Sequence, residues 1–359
     1  MPQDNIYKIM QAIINKYRQE VLKILKTGDL TPYTYCKAQH KDYGTYDANY
    51  DARHHIARGL QFTPELDGQE GIEELIRNLL KEEIKDRETN SFQGIGSTVE
   101  ILVQLLQAYG HDADQLLFEQ VKEANFDCHC GFEAGQPKRE RDVYKLRDIQ
   151  ECIEILNQLK EHEAMSALID IWKEQQTQWN AQNLSTWRYM ERDRGNTQGE
   201  IQALQMLTDL TIQNGSLWDK CSMLNALLEK LLEADCTDQA EKSMQQIIPL
   251  FECSIYEDQQ WLQANLSKFI LMNATKLVIQ QHEKALKLND NTQIENLDFK
   301  NKQLWKWINP YLKNVIKRDC PWNLYRIGAQ AAQIMGDIKF SEQLIYILQQ
   351  KEDSFNQYS

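Results

Sequence analysis

Asp127-Cys128-His129-Cys130 places a carboxylate, an imidazole and two thiols within four residues, and His54-His55 adds two imidazoles upstream. Two chemistries draw on such residues. A zinc ion takes thiolates and imidazoles in a tetrahedron, with paired ligands two to four residues apart and a second pair from elsewhere. Cys128 and Cys130 leave one residue between them, and nothing fixes His54, His55 or His111 as the second pair, so no metal and no cofactor are expected. A nucleophilic thiol needs a base within hydrogen-bond reach and a third group to orient it. His54, His55 or His129 would have to serve Cys128 or Cys130, yet neither cysteine lies in a glycine elbow or an oxyanion-forming loop. No catalytic residue is expected. Glu88, Glu100, Asp127 and Glu133 offer carboxylates, but helix capping accounts for two of them and runs of charge usually form solvated faces.

Recognition is the other use for such a cluster. Loops held by a rigid scaffold carry binding residues more often than packed helices do. The expected partner-binding set is therefore His54, His55, Gln93, Asp127, His129 and Glu133, all read as lying in irregular segments of the first half. Gly94-Ile95-Gly96-Ser97 resembles a phosphate-binding turn only superficially, since no strand precedes it and no lysine follows the glycines. The stretch from Asp298 to Cys320 carries Lys300, Lys302, Lys306, Lys313, Lys317 and Arg318 with Trp305, Trp307 and Tyr311 interleaved. Basic and aromatic residues so mixed can stack on and neutralise nucleic acid; the same composition fits a helix that turns its tryptophans inward and leaves its lysines in water.

Whole-chain charge weighs on that choice. Forty basic against fifty-three acidic side chains give a net charge of −13 over 359 residues. That balance argues against a general nucleic-acid binder and against a polybasic membrane-surface protein, and favours a basic partner or simple solubility. Eight cysteines without a CxxC pair, and no cleavable leader at Met1-Pro2-Gln3-Asp4, read as reduced thiols in a cytoplasmic protein. No apolar run approaches the roughly 18 residues of a membrane span.

Helices must hold these residues. Ile6, Ile9, Met10, Ile13, Tyr17, Val21 and Leu25 recur at three- and four-residue steps, predicting a helix over 5–26 that Gly28 ends. A Tyr-rich segment follows, then a short helix over 47–60 and another running to residue 85 behind a capping box at Asp67 and Glu70. Ser97 with Glu100 reads as a second capping box, and Asp112 opens the partner helix of a short hairpin. Gly135, Pro137 and the charged run 138–141 mark a boundary. The expected organisation is an N-terminal helical domain over 1–134, a linker over 135–142 and a helical array over 143–359. That array includes one long helix from Tyr256 to Leu288. No strand is expected, and the fold class is all-α: stacked antiparallel helix pairs in an α-solenoid-like array, less regular at the N-terminal end.

Within the array, Trp322-Asn323-Leu324-Tyr325-Arg326-Ile327-Gly328-Ala329 runs to Gly336-Asp337-Ile338-Lys339-Phe340-Ser341, with small Ala329 and Ser341 flanking a glycine turn. This resembles a tetratricopeptide-type repeat, in which small residues on paired helices allow close packing. Leu228 and Ala240 across Asp235 form a fainter echo. The resemblance implies stacked hairpins and a protein-binding surface. The leading expectation is a non-enzymatic scaffold for a basic protein; with an Asn-, Gln-, Lys- and Ile-rich, bacterial-looking composition, an immunity or antitoxin-type role suits it. Two alternatives stay open: an enzyme or metal-binding protein using 127–130 with His54 and His55, and a nucleic-acid-associated repeat using 298–320.

Overall fold

A computed structural model describes residues 2–42, 44–90, 94–132, 148–317 and 320–358. The chain divides into two compact units, Met1–Gln176 and Thr177–Ser359. The linker expected at 135–142 lies outside the described residues.

In the first unit, α1 (Pro2–Thr27) buries Met10, Tyr17 and Val21 along the predicted stripe, and Gly28 closes it with a left-handed φ of 67°. Against the expectation of no strands, the Tyr-rich segment forms an antiparallel hairpin of β1 (Lys37–His40) and β2 (Gly44–Asp47). Helix α2 (Tyr50–Phe62) packs on α1, and Gly59 is the contact: a Cβ there would meet Tyr17 and Val21 at 3.1 to 3.2 Å. Helices α3 (Ile72–Thr89) and α4 (Ser97–Tyr109) pair, followed by α5 (Gln115–Glu123) and the short α6 (Phe126–Gly131). Both expected capping boxes fail. Glycines 71 and 96, at positive φ, occupy the two N-cap positions, so Ser97 is already the first helical residue. The pair α7 (Ile149–Gln158) and α8 (His162–Glu174) belongs to this unit too: Glu161 accepts from Lys16 and Tyr17 of α1, and Lys160 reaches Asp51 of α2.

The second unit is built from four helix pairs: α9 (Ala181–Asp193) with α10 (Thr197–Asn214), α11 (Leu217–Glu233) with α12 (Thr237–Glu257), α13 (Asn265–Leu286) with α14 (Asn291–Val315), and α15 (Trp322–Ile334) with α16 (Ile338–Tyr358). Helix α11 packs on α13 and α13 on α15, so the first helices of successive pairs form a row, with Leu224, Leu228, Ile270, Leu277 and Leu324 in its core. The helix expected from Tyr256 is corrected: α12 runs through Tyr256 to Glu257, a 3-10 turn over Gln259–Gln263 follows, and α13 starts at Asn265. Asp258 sets that break by accepting from the Gln260 backbone.

One turn recurs across both units. Lys160, Gly195, Asp235 and Gly336 each hold a left-handed φ between 55° and 77°. In every case the next residue donates five back, Glu161 to Leu156, Asn196 to Glu191, Cys236 to Leu231 and Asp337 to Ala332. This is the Schellman closure of a helix, used to reverse the chain in the α7/α8, α9/α10, α11/α12 and α15/α16 hairpins. In the last, Ser341 Oγ donates to the Ala329 carbonyl at 2.8 Å, and Leu344 would stand 3.1 Å from a Cβ on Gly328. Small residues thus bring α15 and α16 together where the sequence pointed. Among the described residues no helix is long and apolar enough to cross a membrane.

Candidate functional site

The six residues singled out from sequence fall into three groups. Gln93 and Glu133 lie outside the described residues. His54 and His55 sit mid-helix in α2, not in an irregular segment, and His54 is 3% exposed. Its Nδ1 is 2.9 Å from Thr98 Oγ1, and its Nε2 accepts from Arg58 Nε at 3.5 Å. Because arginine only donates, Nε2 is the acceptor and Nδ1 carries the proton toward Thr98. Burial, with the Arg58 charge adding, pushes the pKa down to about 3, so the ring is neutral. His55 packs on the Tyr17 ring at 5.1 Å, and burial also lowers its pKa.

Asp127 and His129 lie on α6, Asp127 partly buried and His129 exposed. Asn125 explains that short helix: its side chain accepts from the Cys128 N–H and donates to the carbonyls of Arg87 and Gly94, tying α6 to the turn that follows α3. Cys128 is fully buried there, which raises its pKa, while Cys130 is exposed. The fold brings His54 and α6 to the same neighbour, Arg87, whose guanidinium bonds Gly94 and lies over the Tyr50 ring that stacks on His54. Neither His54 nor His55 bonds Cys128 or Cys130, and among the described residues no three His, Cys, Asp or Glu side chains form a group that could hold a metal ion.

What the first unit does assemble is a buried ion cluster. Arg53, wholly enclosed, donates Nε to Glu83 at 2.6 Å, pairs with Asp47 through Nη2 and reaches the Tyr33 carbonyl through Nη1. Next to it Asp86 pairs with Arg87. Burial outweighs the pull of Arg53 and raises Glu83 to about 7, and its second oxygen has no partner. Charges so enclosed specify one arrangement of α2, α3 and the hairpin.

The second unit presents a furrow between α12 and α14, both of which pack on α13. Two polar rungs cross it: Lys300 Nζ to Glu241 at 2.9 Å and Trp307 Nε1 to Glu252 at 3.0 Å. Partner numbers rise together, so α12 and α14 run the same way, and eleven residues of α12 set the rungs roughly 16 Å apart. Near the first rung is an apolar chamber of about 340 Å³ lined by Met244, Ile248, Leu277, Leu304, Trp307 and the 61%-exposed Phe299. Past the second rung the furrow opens into a cleft of about 1490 Å³. Its aromatic walls are Trp218, Tyr256, Trp261 and Tyr311; Glu252 and Asp258 are its carboxylates, and among the described residues no lysine or arginine lines it. Tyr256 is 89% exposed and Trp218 47%. Burial and the nearby Glu252 raise the Tyr311 pKa, keeping its hydroxyl a neutral donor. Phe251 supports the walls from beneath, edge-on to Trp261, Trp307 and Tyr311 at 5.0 to 5.2 Å, contacts each worth about 0.5–1.5 kcal/mol beyond their buried area.

This furrow escaped the sequence reading. In the 298–320 stretch Trp305 turns into the core, as one of its two expected uses has it, while Trp307 bonds Glu252, and Lys300 and Lys313 pair with Glu241 and Asp337. An available signal was Trp218, Tyr256 and Trp261 recurring beside Glu252 and Asp258 in an acidic chain. No family model, curated protein or solved structure matches the chain.

Proposed function

We propose that this chain is a non-enzymatic, protein-binding helical-repeat protein that captures a basic partner, and that the α12/α14 cleft of the second unit receives it. The observation that carries the reading is the pairing of exposed Trp218 and Tyr256 with Glu252 and Asp258 in one cleft. Large aromatic residues exposed beside carboxylates attract lysine and arginine through the ring face and through charge. The hairpins with their shared turn, and the Ala329–Ser341 approach, favour a tetratricopeptide-like array as the scaffold. Neutralisation of a cationic toxin, as an immunity or antitoxin-type protein would perform, is the specific form that the composition supports. Asp127 and His129 on α6 are the competing contact surface.

A fluorescently labelled, arginine- and lysine-rich dodecapeptide, titrated by anisotropy against the full chain at low and high salt, tests the reading. Binding should weaken with salt. The Trp218→Ala/Tyr256→Ala pair should lower affinity about tenfold, or about 1.4 kcal/mol, while Asp127→Asn leaves it unchanged. Loss with Asp127→Asn and none with the aromatic pair would move the site to the first unit.

A further inference from the structure

The cleft and the apolar chamber lie in one furrow, and their combination says more about the occupant than either alone. The α12 residues of the chamber centre between 244 and 245 and those of the cleft near residue 254. About ten helical residues separate those centres, or roughly 15 Å along the helix axis. The chamber offers Met244, Ile248, Leu277 and Leu304 as floor and Phe299 as an exposed wall, its polar lining is Gln245, Gln281 and Gln303, and its two charged residues, Glu241 and Lys300, already pair with one another. It therefore suits an uncharged, largely apolar group. The cleft, in contrast, holds the carboxylates Glu252 and Asp258 beside its aromatic walls.

Resting on the reading that the partner is basic, we infer that the furrow binds an amphipathic helix of that partner, with a bulky apolar residue in the chamber and a lysine or arginine ten or eleven positions away in the aromatic cleft. Three helical turns span roughly 15 to 16.5 Å and return to the same face, matching the separation of the two sites. Helices α12 and α14 run the same way over α13 and leave a trough between them, the geometry into which a third helix lays its apolar face. Phe299, exposed at the chamber mouth, has no role in the core that would otherwise explain it.

Four synthetic helical peptides of one composition test this. Two carry a tryptophan and an Arg-Lys pair at ten- and eleven-residue spacing, one in each chain direction, and two carry the same residues at a five-residue spacing, on opposite faces. Anisotropy titrations against the full chain should find one in-phase peptide at least tenfold tighter than both out-of-phase peptides. Phe299→Ala should remove that advantage without changing the out-of-phase affinity, and Tyr256→Ala should weaken all of them together. Equal binding by all four would overturn the two-point helix and leave the basic-partner reading standing. Tighter binding by an unstructured, proline-containing version of the in-phase peptide would overturn the helix as well. Binding by none of the four, together with none by the arginine- and lysine-rich dodecapeptide, would remove both readings.

Discussion

Replacing Arg53 by methionine should destabilise the first unit by about 3–5 kcal/mol, the usual effect of removing one partner from a buried ion pair. Arg53, Asp47 and Glu83 have fully enclosed side chains, so neither carboxylate can turn to water when the guanidinium goes. Glu83 already has one oxygen without a partner and would lose the bond to its other; the Tyr33 carbonyl would lose a donor as well. A domain of this size shifts its unfolding midpoint by roughly 2–4 °C per kcal/mol, so the transition should fall by roughly 6–20 °C. Hydrogen exchange resolved by peptide would follow it: protection should drop in α2 and α3 and stay constant in α11 and α13. Protonating Glu83 removes the stranded charge, so the deficit should be smaller at pH 5 than at pH 8. Arg53→Met/Glu83→Leu with Asp47→Asn should recover most of the loss, since the asparagine oxygen can still accept from the Cys36 and Asn49 backbones. A loss below about 1 kcal/mol, or one independent of pH, would refute the buried cluster as described.

Three other outcomes follow from the same structure. Glu83, raised to about 7 from 4.5, stabilises the fold at acid pH and loses that contribution as pH climbs from about 4.5 through 7; His54, lowered to about 3 from 6.5, stabilises above 6.5 and loses its contribution as pH falls. The two slopes oppose one another between about pH 4.5 and 6.5, and His54→Gln should make stability decline with rising pH across that window relative to the parent, by up to about 1.4 kcal/mol per pH unit in chemical denaturation. Asp235→Gly should raise the midpoint by up to about 1 kcal/mol equivalent, because the left-handed turn costs a side chain that glycine lacks; a decrease would mean that the Asp235 turn is not strained. Ser341→Ala should cost about 0.5–1.5 kcal/mol by removing the hydroxyl that donates to the Ala329 carbonyl, read by urea melts.

Periodicity made the helices legible, and small residues at 329 and 341 with glycine at 336 made one hairpin legible down to its contact. The matching turn at 160 was hidden because lysine fills a left-handed position normally read from glycine, while the one at 235, with aspartate there, showed only as the fainter echo of Leu228 and Ala240. The break after Glu257 was hidden because apolar spacing continues through it; only the Asp258 bond to the following backbone stops the helix. Asp47, Arg53 and Glu83 look like solvated charges in sequence and become a core only when β2, α2 and α3 meet. The furrow was least visible of all, since its walls come from four helices far apart in sequence, and only the stacking of the α11/α12 and α13/α14 pairs brings them together.

Site-specific photo-cross-linking in living cells tests the central claim most directly, with the photoreactive residue placed at exposed position 256 or, separately, at position 129. The account predicts a partner cross-linked from 256 through a segment rich in lysine and arginine, lost on Trp218→Ala and absent from 129. A partner captured only from 129, or cross-linked from 256 through a neutral or acidic segment, would contradict it.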